Sequence, residues 1–219
     1  MALRSADAIT LFRVALVILV VFLVVEKAYP FLSLTILGIA IALDGVDGFA
    51  ALREASHGRI SISDYIMHAS GKKRNKYIEK TKQDISKKAP WGPRFDVAGD
   101  RVTEYAMWIL FLFVGVLPLF VILIIIIRHS FADAMMGMRG TSSKGATWLS
   151  NTFYKSNWSR AGINILKFIT FSYLILAYVL AYPLYIGYIL IALCVGFIVL
   201  RGVAEIYDSF VFGGIGART

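Results

Sequence analysis

The chain has 219 residues, 58% hydrophobic and 17% charged, with 23 Lys+Arg against 14 Asp+Glu and a mean hydropathy of +0.70. A soluble domain is about half apolar and a quarter charged, so a soluble, disordered or disulfide-stapled secreted protein is excluded and a polytopic membrane protein is expected. The single cysteine, Cys194, allows no intrachain disulfide, and His57, His68 and His129 have no zinc-ligand spacing.

A bilayer core of about 30 Å takes roughly 20 apolar residues per helix, which predicts spans at 8–26, 31–50, 96–116, 119–138, 161–182 and 184–203. The first apolar run, Leu11 to Val25, leads into Glu26, Lys27 and Tyr29 rather than a small-residue cleavage site. It reads as a retained helix, not a signal peptide. Residues 106–127 are apolar without interruption. Taken as one span, they give five spans and put Arg128, Arg139, Lys144, Lys155 and Arg160 opposite the basic 53–94 stretch. A hairpin turning at Val116-Leu117-Pro118 gives six spans and returns those cations to its side. Eleven Lys/Arg lie in 53–94, whereas the turns near 27–30, 116–119 and 182–184 hold only Lys27. That asymmetry favours six spans with both termini cytoplasmic. The expected fold is therefore all-α, six transmembrane helices around a cytoplasmic-side polar cavity. It forms one membrane-embedded domain over 1–219, placed in the cytoplasmic membrane.

Residues 52–91 are read as a basic cytoplasmic loop between helices two and three. Lys72, Lys73, Arg74 and Lys76, with Lys87 and Lys88, suit anionic headgroups or plain solvation. Nucleic-acid binding calls for interleaved aromatics, and Tyr77 alone qualifies, so no nucleic-acid partner is expected.

Carboxylates inside a membrane are costly and mark function. Asp44 and Asp47 are spaced i,i+3 at the inner end of helix two; Asp96 and Asp100 are spaced i,i+4 at the start of helix three. Either spacing stacks two side chains on one helix face. Counted from the outer turns, Asp44 and Asp47 lie about 21–25 Å inward and Asp100 about 24 Å, so all four share one depth. Four like charges at low dielectric need compensation, and oxygen-only ligation suits Mg²⁺ or Mn²⁺. The plainer alternative pairs these carboxylates with Arg53, Arg94 and Arg101. Gly45 and Gly48 beside Asp47, and Gly92 and Gly99 beside Asp96 and Asp100, permit close approach of a ligand or of a neighbouring backbone.

These residues resemble the signature of the CDP-alcohol phosphatidyltransferase family, D-x-x-D-G-x-x-A-R followed by G-x-x-x-D-x-x-x-D. The chain carries Asp44, Asp47, Gly48 and Ala51, then Gly92, Asp96 and Asp100. It departs from the pattern with Leu52 at the motif arginine and Arg53 one place late, and with 40 residues between Ala51 and Gly92, which makes 52–91 an insertion. A second similarity is Asp7, Thr10 and Arg13 on helix one, set against N-x-x-T-x-x-R. The resemblance implies a CDP-linked lipid donor held through Thr10, Arg13, Asp44, Gly48, Ala51, Arg53, Gly92 and Asp96. It implies two divalent ions on Asp44, Asp47, Asp96 and Asp100, with Asp100 also the general base towards an acceptor hydroxyl, and CMP as leaving group. It further implies a homodimer among membrane lipids.

The acceptor is read from cations. Arg128, Lys144, Lys155, Arg160 and Arg201 suit a phosphorylated polyol such as glycerol phosphate or inositol phosphate. The alternatives are serine as acceptor, with Ser142, Ser143, Ser159 and Thr170 as hydroxyl partners, or purely structural cations: Arg128 paired with Asp133, Lys167 and Arg201 snorkelling. A divalent-cation transporter would carry its carboxylates at mid-depth within two similar halves, which this chain lacks. A scaffold recruiting partners through its basic loop is the remaining non-enzyme reading.

Overall fold

The computed structural model describes residues 4–69, 75–88, 91–139, 147–154 and 156–216. The described residues are helical, with no strand among them. The chain divides into two compact units, Met1–Leu110 and Phe111–Thr219.

The first unit is built on a helical hairpin. Helix α1 (Ser5–Val25) starts where Asp7 accepts the backbone N–H of Arg4 at 3.1 Å. This satisfies one of the donors a helix start leaves open. Its buried residues Ala6, Thr10, Arg13, Val17, Val20 and Val24 recur every three or four positions, one continuous stripe. Helix α2 (Pro30–Ala55) answers with Ser33, Leu37, Ala40 and Asp47. The antiparallel pair is thus apolar towards the turn and polar at the other end. The turn itself is tight, with Lys27 and Tyr29 left-handed (φ 52° and 47°) and Pro30 opening α2. Faces turned away from the pair carry exposed Phe12, Ile18, Phe22, Phe31 and Ile39. Apolar outward faces of this extent belong against lipid.

Beyond α2 the chain turns through left-handed His57 and Gly58 (φ 51° and 81°). The stretch expected as a cytoplasmic loop, 52–91, carries two short helices among its described residues: α3 (Ile62–Ala69) and α4 (Lys76–Lys88). The reason is a small core of its own. Leu52, Ile60 and Ile78 are buried together, with Phe49, Tyr65 and Ile85 packed on them, so both short helices dock on the end of α2. Their apolar residues number too few for a composition reading to separate them from a solvated loop. Helix α5 (Gly92–Phe113) follows.

In the second unit, α6 (Leu119–Arg139), a π-helical turn (Ser150–Tyr154), α7 (Asn157–Leu180) and α8 (Leu184–Gly216) pack with α8 against the other three. The apolar run 106–127 is broken: α5 ends at Phe113, Gly115 is left-handed (φ 77°), and Val116 donates back to Phe111 at 2.9 Å before Pro118. This is the glycine-terminated helix end. Ser156 caps α7 by accepting from Ser159 N–H at 3.2 Å. Among the described residues, four helices are long and apolar enough to cross a membrane: Ser5–Val25, Pro30–Ala55, Trp158–Leu180 and Leu184–Val211.

Candidate metal and nucleotide site

Asp44, Asp96 and Asp100 each offer a carboxylate oxygen within 4.8 Å of the others. Asp47, one turn along α2 from Asp44, is buried and accepts from Gly48 N–H at 2.6 Å. Between them lies Arg13 of α1. Its Nη1 hydrogen-bonds Asp44 and stands 4.0 Å from Asp47 Oδ2; its Nη2 reaches Asp100 Oδ1 at 2.6 Å and Asp96 Oδ1 at 3.7 Å. The plainer alternative takes Arg53, Arg94 and Arg101 as partners; the guanidinium seen among the aspartates is that of Arg13. Arg53 lies 5.9 Å over the Phe49 ring, and Arg101 stands 3.7 Å from Glu104.

The helices meet because α5 is bare where α1 touches it. A Cβ on Gly99 would collide with Thr10 Cγ2, and one on Gly92 with the Arg4 guanidinium. Of the four flanking glycines, these two serve approach of α1. Gly48 serves approach of Tyr65, whose hydroxyl a Cβ there would meet at 3.0 Å, while Gly45 has open space.

Tyr65 is a residue the sequence reading missed. It comes from α3, packs its ring at a tilt 5.5 Å from that of Phe49, and donates to Gly45 O at 3.3 Å. Burial, followed by the nearby charges of Asp47 and Asp96, raises its pKa above the usual value of 10.0, so the hydroxyl stays a donor. A tyrosine on a separate helix between the two halves of the motif offers no local signal.

The donor set fits a divalent cation. Three carboxylates converge, and the buried oxygens Asp47 Oδ2 and Asp96 Oδ1 make no hydrogen bond. Four carboxylates to one guanidinium leave negative charge that a hard, oxygen-seeking cation compensates.

The remaining predicted residues lie as follows. Thr10 is buried and donates to Ala6 O at 3.2 Å. Ala51 lines a cleft beside α4, and Leu52 lies in the core under α3 and α4. In the second unit, Arg128 pairs with Glu205 at 3.5 Å, over Gly202, where a Cβ would crowd its side chain. Arg201 donates to Phe153 O at 3.1 Å and to Ser159 Oγ. Thr170 donates to Leu166 O at 2.7 Å. Arg160 is exposed in the first turn of α7. Lys144, Lys155, Ser142 and Ser143 lie outside the described residues.

Fold and site together define a helical protein that has, among its described residues, four helices apolar enough to cross a membrane and an aspartate cluster suited to a metal. The family model described as CDP-alcohol phosphatidyltransferase matches residues 3–56, at the N-terminus of the chain. The match covers about a quarter of the sequence and includes Thr10, Arg13, Asp44, Asp47, Gly48, Ala51 and Arg53; Gly92, Asp96 and Asp100 lie beyond it. No curated protein and no solved structure matches the chain.

Proposed function

We propose that the chain transfers a phosphatidyl-type group from a CDP-linked lipid to the hydroxyl of a small polar acceptor, releasing CMP. The observation that carries this reading is the meeting of Asp44, Asp96 and Asp100 in the same unit that bears the family match. Two helices separated by the whole 52–91 stretch supply those carboxylates, as a pyrophosphate-metal site requires.

In this reading Asp44, Asp47, Asp96 and Asp100 would hold two divalent ions, Mg²⁺ or Mn²⁺, whose charge would offset that developing on the transferred phosphoryl group. Arg13 and Gly48 face the donor phosphates, with Thr10, Ala51, Arg53 and Gly92 around them. Asp100 accepts the proton of the acceptor hydroxyl as its oxygen attacks the lipid-side phosphorus. The bond from that phosphorus to the CMP oxygen breaks, and CMP leaves with the electron pair.

Six spans with cytoplasmic termini accompany this proposal, supported by the break at Gly115 and the Lys/Arg of 53–94. The enzyme works in the cytoplasmic membrane as a homodimer. The acceptor is a phosphorylated polyol, glycerol phosphate or inositol phosphate, read from the sequence cations Arg128, Lys144, Lys155, Arg160 and Arg201, of which Arg128 and Arg201 also engage Glu205, Phe153 O and Ser159. The test is CMP release from a CDP-lipid with Mg²⁺ across a panel of acceptors. Release with a phosphorylated polyol is expected. Release with serine alone overturns the acceptor, and no metal-dependent release with any acceptor overturns the transferase reading.

A further inference from the structure

The stripe of α2 that carries Asp44 and Asp47 continues through Ala51 and Glu54, and there α4 and Arg4 enclose a cleft of about 560 Å³. We infer that this cleft binds the nucleoside of the CDP-linked donor and that α4, part of the 52–91 stretch, is the wall that recognises it. The inference rests on the proposed donor and adds to it a recognition element outside the signature residues.

The cleft's chemistry is mixed in a way that selects among ligands. Ala51, Ala55 and Ile85 give it apolar surface; Arg4 and Lys80 bring cations, Glu54 and Asp84 carboxylates, and Tyr77 an aromatic ring. A bare phosphate favours cations alone, and an acyl chain favours no charge at all. A pyrimidine nucleoside presents a flat ring for stacking on an aromatic. Its exocyclic amine donates to carboxylates, and its ring carbonyl accepts from cations. The size falls within the range of about 300–1,000 Å³ of ligand pockets.

The walls are held in place. Arg4 is fixed by Asp7, at 3.0 Å through Nε and 2.8 Å through Nη2, and lies 4.6 Å over the Trp91 ring. Glu54 accepts from Ser5 N–H at 3.2 Å and from the Ser5 hydroxyl, tying the ends of α1 and α2. Tyr77, Lys80, Thr81 and Asp84 share one face of α4, while Ile78 on another face is buried with Leu52 and Ile60. Glu54 stands seven residues past Asp47, about 10 Å along the helix. A donor with its pyrophosphate on the aspartates therefore extends its nucleoside into this cleft.

The test is equilibrium binding of CDP and of UDP to the full-length protein in nanodiscs with Mg²⁺. Tyr77→Ala and Asp84→Asn change exposed side chains, and melting temperatures check that the fold persists. Tyr77→Ala is expected to weaken CDP about tenfold, as loss of one stacking contact does, and Asp84→Asn to narrow the preference for CDP over UDP. CDP binding and preference unchanged in both variants, but lost in Asp44→Asn, overturn the cleft and leave the transferase reading standing. CDP binding absent from the wild type overturns both. If either variant lowers the melting temperature, Lys80→Ala replaces it, with the same tenfold weakening expected and unchanged binding again overturning the cleft.

Discussion

Arg13 Nη2 stands 2.6 Å from Asp100 Oδ1, joining residues 87 positions apart and bringing the polar end of α1 to that of α5. The same guanidinium hydrogen-bonds Asp44, so one side chain faces carboxylates from both α2 and α5. It is itself 3% exposed. Removing one partner of a buried charge group leaves the others uncompensated, whereas a bound cation takes over that compensation.

Arg13→Ala should therefore destabilise the protein by about 1–3 kcal/mol in chelator, below the cost for a fully buried pair because Asp44, Asp96 and Asp100 are partly exposed, and by clearly less in Mg²⁺. Thermal melting in detergent, with and without the ion, reads this directly. An equal loss in both conditions would show that the ion does not share the site with Arg13.

Asp100→Asn keeps size and hydrogen bonding but removes the proton acceptor. CMP release should fall by roughly 10²–10⁴-fold, while Mg²⁺-dependent stabilisation should weaken but persist through Asp44, Asp47 and Asp96. Wild-type turnover in this variant would remove Asp100 from the base role.

Gly99→Ala places a methyl group against Thr10 Cγ2. Overpacking of this kind costs about 1–3 kcal/mol. Thr10→Ala removes the colliding methyl, so the double variant should recover most of the loss. Strictly additive losses in a melting cycle would mean that α1 and α5 do not meet there.

Tyr65→Phe tests the charge environment of α3. Because folding raises this phenol's pKa, the unfolded chain gives up its proton first as pH climbs past about 10. The native state then loses stability with rising pH, since it binds more protons than the unfolded one. The wild type should lose melting temperature between pH 9 and 11 more steeply than Tyr65→Phe. Parallel curves would contradict the burial of Tyr65 beside Asp47 and Asp96.

Position 52 shows how sequence and structure divide the information. The family signature keeps an arginine there, and the leucine looks like an isolated departure. In the fold, Leu52 is 2% exposed and forms the floor on which Ile60 and Ile78 settle. An arginine buried at that place would disrupt the docking of α3 and α4. Nothing local to residue 52 announces this, since Ile60 and Ile78 are ordinary apolar residues in a basic stretch.

Hydropathy and helical period are local properties, so the residues alone determined that the chain is helical and apolar enough for a membrane, where α1 and α2 lie, and that Asp44 pairs with Asp47 and Asp96 with Asp100 along their helices. Tertiary structure decided the rest. Arg13 faces the aspartates, Tyr65 joins them, Glu205 pairs with Arg128, and the described part of the 52–91 stretch folds back on α2. Those outcomes depend on which side chains packing brings within a few ångströms, and partners tens of residues apart leave no spacing by which a reader of the chain could find them.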